Sequence, residues 1–106
     1  MKIREGIARA YGAEFAYLLG YLESESQGSH RGVPKTALEI ERDTGLSTFK
    51  QKRMIDLMEH IGVLRVEYAP RKETFAKVRL FKAFFMAIES LESRIDKKTG
   101  EVMRLK

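Results

Sequence analysis

A short helix with a capping box that ends at a glycine, a second helix with one apolar and one cationic face, and a change of hydrophobic period from helical to two just beyond it together predict a mostly α chain with a small β-hairpin, the winged helix-turn-helix. At 106 residues the expectation is a single domain over 1–106. Its core is expected over about 10–95, with 96–106 a terminal turn or tail.

The elements follow from local signals. Phe15, Leu18, Leu19 and Leu22 recur at three- and four-residue steps and predict a helix over 13–24, and Gly12 separates it from a short preceding helix carrying Ile7 and Tyr11. Residues 26–34, rich in Ser, Gly and Pro, read as a loop. Thr36 and Glu39 form a capping box, in which each side chain takes a free amide of the other's first turn. Gly45 ends that helix early, because glycine takes the left-handed conformation at no steric cost. Ser47 is then a good N-cap for a helix over 48–61. On that helix Gln51, Met54, Ile55, Met58 and Ile61 share one face, and Phe49, Lys52, Arg53, Asp56 and His60 share the other.

After Gly62 the period becomes two. Leu64, Val66 and Tyr68 alternate with Arg65 and Glu67; Ala76, Val78 and Leu80 alternate with Lys77, Arg79 and Phe81. Between them Pro70, Arg71, Lys72, Glu73 and Thr74 form a polar, basic turn, so the hairpin has a basic tip. Phe84, Phe85, Ile88, Leu91 and Ile95 return to helical spacing and predict a helix over 83–94. Residues 96–101 read as a turn, and 102–105 as a small strand or a frayed end.

Composition closes off several classes of function. With no cysteine there is no disulfide framework, no zinc ribbon and no thiol catalysis. His30 and His60 stand thirty residues apart, so no paired-histidine metal motif exists. There is no Gly-rich phosphate loop, no Ser/His/Asp grouping by spacing and no carboxylate cluster, so the expectation is a protein that is not an enzyme and takes no metal or cofactor. No apolar run approaches a membrane span and no apolar stretch follows the N-terminus, so the chain is expected to be cytoplasmic, away from the membrane.

The net charge of +5 is concentrated in the middle. Between residues 47 and 82, nine cations (Lys50, Lys52, Arg53, Arg65, Arg71, Lys72, Lys77, Arg79 and Lys82) face Asp56, Glu59, Glu67 and Glu73. Such a localised excess points to a polyanion partner, and a merely solvated surface is the competing reading. The cations fall where a winged helix meets duplex DNA: the second helix enters the major groove, and the hairpin tip reaches the flanking backbone.

The expected DNA-binding residues are therefore Ser47, Thr48, Phe49, Lys50, Lys52 and Arg53 on the helix and Arg71, Lys72 and Lys77 on the wing. Arg53 is the better base reader, since its fork bonds guanine O6 and N7 together; Lys50 and Lys52 are point charges suited to phosphates. Phe49 has two readings, contact with a thymine methyl or packing back onto the first helices. Gln51 is expected partly buried, accepting from the preceding turn. Capping alone accounts for Ser47. Tyr11, Tyr17 and Tyr21 at helical spacing read as core or dimer surface. The helix over 83–94 places Phe84, Phe85, Ile88 and Leu91 on a face wider than one small domain needs, which predicts a homodimer.

A family resemblance rests on 43–64. Asp43, Thr44, Gly45, Leu46, Ser47, the aromatic Phe49, Gln51 in a basic stretch, apolar Ile55 and Met58, and Gly62 before Val63 and Leu64 resemble the helix-turn-helix segment of DnaD-like replication proteins of phages and plasmids of Gram-positive bacteria. Tyr11, Gly12 and the helix after them resemble that family's opening, so the likeness spans about 10–90. It implies a DNA-binding or oligomerising domain of a replication initiator or replisome organiser, with other replication proteins as further partners. Three functions are thus in view: double-stranded DNA binding in replication initiation, a small transcriptional regulator with the same contacts, and a winged helix used for protein assembly without DNA.

Overall fold

The structure is a computed structural model and describes residues 1–27, 32–68 and 78–103. The element order is α1 (Glu5–Tyr11), α2 (Ala13–Ser26), β1 (Val33–Lys35), α3 (Ala37–Thr44), α4 (Thr48–His60), β2 (Leu64–Tyr68), β3 (Arg79–Ala83) and α5 (Phe85–Ser93). It is mostly helical with a small antiparallel sheet, the arrangement of a winged helix. Among the described residues no helix is long and apolar enough to cross a membrane.

α2 is the central helix. Phe15, Leu18, Leu19 and Leu22 are buried together with Tyr21, and α1, α4 and β3 pack around it. Gly20 is required there by a close approach: a Cβ would lie 2.6 Å from the backbone oxygen of Lys2, so the N-terminal segment is laid against α2 where there is no side chain. Arg4, itself buried, holds that segment. Its guanidinium bonds both oxygens of Glu23 on α2 at 2.8 and 3.0 Å and reaches Glu89 on α5 at 2.6 Å. Glu92 of α5 then accepts from the amides of Gly6 and Ile7 at 2.9 and 2.8 Å, capping α1 with a carboxylate from a distant helix. The packed core accordingly starts earlier than residue 10: Ile7 is fully buried within it.

Residues 33–35, the first two of them expected in a loop, form a third strand. The sheet order is β1-β3-β2, with Val33 opposite Phe81 and Lys35 opposite Arg79. Pro34 is tolerated because β1 is an edge strand, where a missing amide costs no ladder bond. The phase of β3 also differs from expectation. Val66 pairs with Phe81 and Glu67 with Leu80, so Phe81, not Leu80, shares the inner face with Val66. Phe81 is fully buried, whereas Leu80 is only half-buried. Tyr68, expected on the inward set, is exposed.

Ala83 closes β3, so α5 begins at Phe85, two residues later than predicted. Its Ile88 and Leu91 belong to the core, while Phe84, Phe85 and Met86 face solvent. The apolar face available for association is therefore the start of α5, not the whole helix. Ile95 and Val102 form an isolated antiparallel bridge after it. The hairpin tip with Arg71 and Lys72, the adjoining Lys77, and the loop residue His30 lie outside the described residues.

Candidate nucleic-acid interface

The turn that sets α4 against α3 is built as its sequence dictates. Thr36 Oγ1 accepts from the Glu39 amide at 3.1 Å and Glu39 returns the bond to the Thr36 amide at 3.0 Å, completing the capping box. The bond from the Thr36 amide, the larger influence, holds the Glu39 carboxyl below its ordinary value. Gly45 is left-handed at φ 77°, and its amide bonds the Glu41 carbonyl oxygen. Thr44 Oγ1 donates to the Ile40 carbonyl and accepts from the Leu46 amide, which stiffens the turn on both sides. Ser47 Oγ accepts from the Lys50 amide at 3.3 Å and starts α4.

Gln51 locks the two helices together. It is completely buried, and Nε2 donates to the carbonyl oxygens of Ala37 at 3.0 Å and Leu46 at 2.9 Å. The residue thus donates to the preceding turn and helix instead of accepting from them. Leu46 lies just before the Ser47 cap, outside both helices, and a backbone carbonyl such as that of Ala37 has two lone pairs and can take a second bond beside its helical one. On the far side, the Tyr21 hydroxyl donates to Asp43 at 2.5 Å and ties the last turn of α3 to α2. That bond, with Lys35 nearby, keeps the Asp43 carboxyl low. Burial and the same bond push the Tyr21 hydroxyl well above its ordinary value.

With its inner face fixed by Gln51, Ile55 and Met58, α4 turns Thr48, Phe49, Lys52, Arg53 and Asp56 to solvent. Phe49 is 70% exposed and takes no part in the core, so packing back onto the first helices is not its role. Residues at i, i+3 and i+4 are neighbours on a helix surface, which places Phe49, Lys52 and Arg53 side by side. Among the described residues neither Lys52 nor Arg53 has an ion-pair partner. Lys50 does: its Nζ lies 3.1 Å from Glu14 at the start of α2.

The head of α4 runs against the helix dipole. No acid lies in the first turn, which carries Lys50, and the last turn holds Glu59 beside His60. A cation in the first turn disfavours the helix by about 0.3–1 kcal/mol. Helix stability therefore does not explain this arrangement, whereas an anion held at the first two turns would.

A groove runs from α4 to the sheet, lined by Lys52, Asp56, Tyr68 and Arg79 among others. Tyr68 and Arg79 are cross-strand partners at the base of the wing, and the Arg79 guanidinium lies 5.0 Å from the Phe81 ring centroid. Arg79 belongs to the basic segment of the sequence, but neither it nor Tyr68 is among the residues expected to touch DNA. The alternation placed Arg79 and Tyr68 on opposite faces, and only the observed register puts them together. Of the nine expected residues, the six on α4 and its cap are gathered at one end of the helix; Arg71, Lys72 and Lys77 lie outside the described residues. No protein-family model, curated protein or solved structure matches the chain.

Proposed function

We propose that this chain is a double-stranded DNA-binding winged helix, without enzymatic activity, that serves the initiation of phage or plasmid DNA replication. The observation that carries the DNA-binding reading is the exposed group Phe49, Lys52 and Arg53 on one face of α4, with both cations free of ion pairs among the described residues. Phosphate contacts need mobile, unneutralised cations beside a helix that can enter the groove. The replication role rests on the resemblance of 43–64 to DnaD-like initiators. Self-association is supported by a separate surface, where Met1 shares a groove with Phe84, Phe85 and Met86.

The experiment is a titration of the chain into a labelled duplex of random sequence over a series of salt concentrations. Affinity is expected to fall as salt rises, with a logarithmic slope of about 0.9 per phosphate contacted. Replacing Arg71 and Lys72 by Ala is expected to lower that slope and to weaken all duplexes alike, since backbone contacts position without specifying. Absent or salt-independent binding would overturn the reading and leave protein assembly as the use of the fold.

A further inference from the structure

We infer that Phe49 makes the domain selective for thymine, by seating its ring against the C5-methyl group of a thymine in the major groove; this rests on the DNA-binding reading above. The ring occupies the second residue of α4, in the part of a helix-turn-helix that goes deepest into the groove. It is 70% exposed and outside the core, so the fold does not need it there. Its surface neighbours one turn on are Lys52 and Arg53, groups that bond phosphates and base edges. A phenyl ring makes neither bond. Among the four base pairs, the major-groove edge presents one apolar group, the thymine methyl. A phenyl ring brought to that edge by the cations on either side therefore has one partner that repays its removal from water. Stacking on unpaired bases is the other use of an exposed aromatic, and it is indifferent to the methyl because every base has a π-face.

The test uses the whole chain and duplexes that it selects from a random pool. Each thymine of the selected site is replaced in turn by uracil, which keeps every hydrogen-bonding atom and lacks only the methyl. At one position per domain bound, uracil is expected to weaken the wild-type chain by about fourfold, the worth of one methyl group taken out of water. Phe49→Ala should bind the thymine duplex about as weakly as the wild type binds the uracil duplex and be indifferent to the exchange. Phe49→Leu, which keeps an apolar side chain, should retain part of the discrimination. Both variants should melt as the wild type does. Equal binding of thymine and uracil sites by the wild type would overturn the inference, as would a uracil effect that survives in Phe49→Ala or a selection that returns no thymine. Those outcomes leave DNA binding itself standing; a chain that retains no duplex at all removes both readings.

Discussion

Lys50 Nζ on α4 lies 3.1 Å from the carboxylate of Glu14 at the start of α2, so one of the three cations at the head of α4 is already engaged by the protein. Both side chains are about half exposed, and a pair of that kind contributes little to stability. Its consequence is for binding, because Glu14 competes with any phosphate for Lys50. Glu14→Gln is expected to leave the melting temperature nearly unchanged. It should tighten duplex binding and steepen the salt dependence by up to about 0.9. Unchanged affinity and slope would mean that Lys50 touches no phosphate.

The exposed and buried faces of α4 predict opposite phenotypes. Arg53→Ala removes an exposed fork and should relax preference at one base pair, with stability held within about 0.5 kcal/mol. Met58 is fully buried beside Ile55, so Met58→Ala should cost about 2–5 kcal/mol by emptying core volume. Thermal melts with binding-site selection check the pair. An Arg53→Ala chain that unfolds, or one that keeps full sequence preference, would contradict the orientation of the helix.

The bond between Tyr21 and Asp43 gives stability a defined pH dependence. Asp43 is held low in the folded chain, so its contribution is present above the ordinary aspartate range and is lost as pH falls through and below that range. Tyr21 is held high, so its contribution is full below the ordinary tyrosine value of 10.0 and fades as pH rises beyond it. Tyr21→Phe removes the bond and should flatten both limbs. Melting temperatures from acid to strongly alkaline pH, wild type against variant, read this out. Glu89, held low chiefly by its bond to Arg4, adds to the acid limb in both proteins, so some acid loss remains in the variant.

The parts of the fold legible in the sequence are those set by neighbours in the chain. The Thr36–Glu39 box, Gly45 and the Ser47 cap each act within four residues, and each forms as its residue types require. β1 was not legible because a three-residue strand containing Pro34 exists only by pairing with β3, some 46 residues away. The inner face of β3 was ambiguous for a similar reason. Leu80 and Phe81 are adjacent and both apolar, and only the pairing of Val66 with Phe81 decides which turns inward. At the candidate interface, exposure of Lys52 and Arg53 followed from the helical wheel. The capture of Lys50 by Glu14 did not, since nothing local joins residues 36 apart.

Association should depend on the start of α5. Met86 is 78% exposed and Phe85 56%, in a groove that they share with exposed Phe84 and buried Ala83. Sedimentation is expected to find a dimer at micromolar concentration, and Met86→Glu should shift it towards monomer without unfolding the chain. A single species of 12.2 kDa throughout that range would contradict a dimer.

Amide chemical-shift mapping on addition of a duplex tests most directly whether the head of α4 is the surface that meets DNA. The account predicts the largest changes over 47–53, with a second set near Tyr68 and Arg79 at the base of the wing and little change in α1. Changes confined to the start of α5 and the N-terminal segment, with 47–53 unmoved, would contradict it.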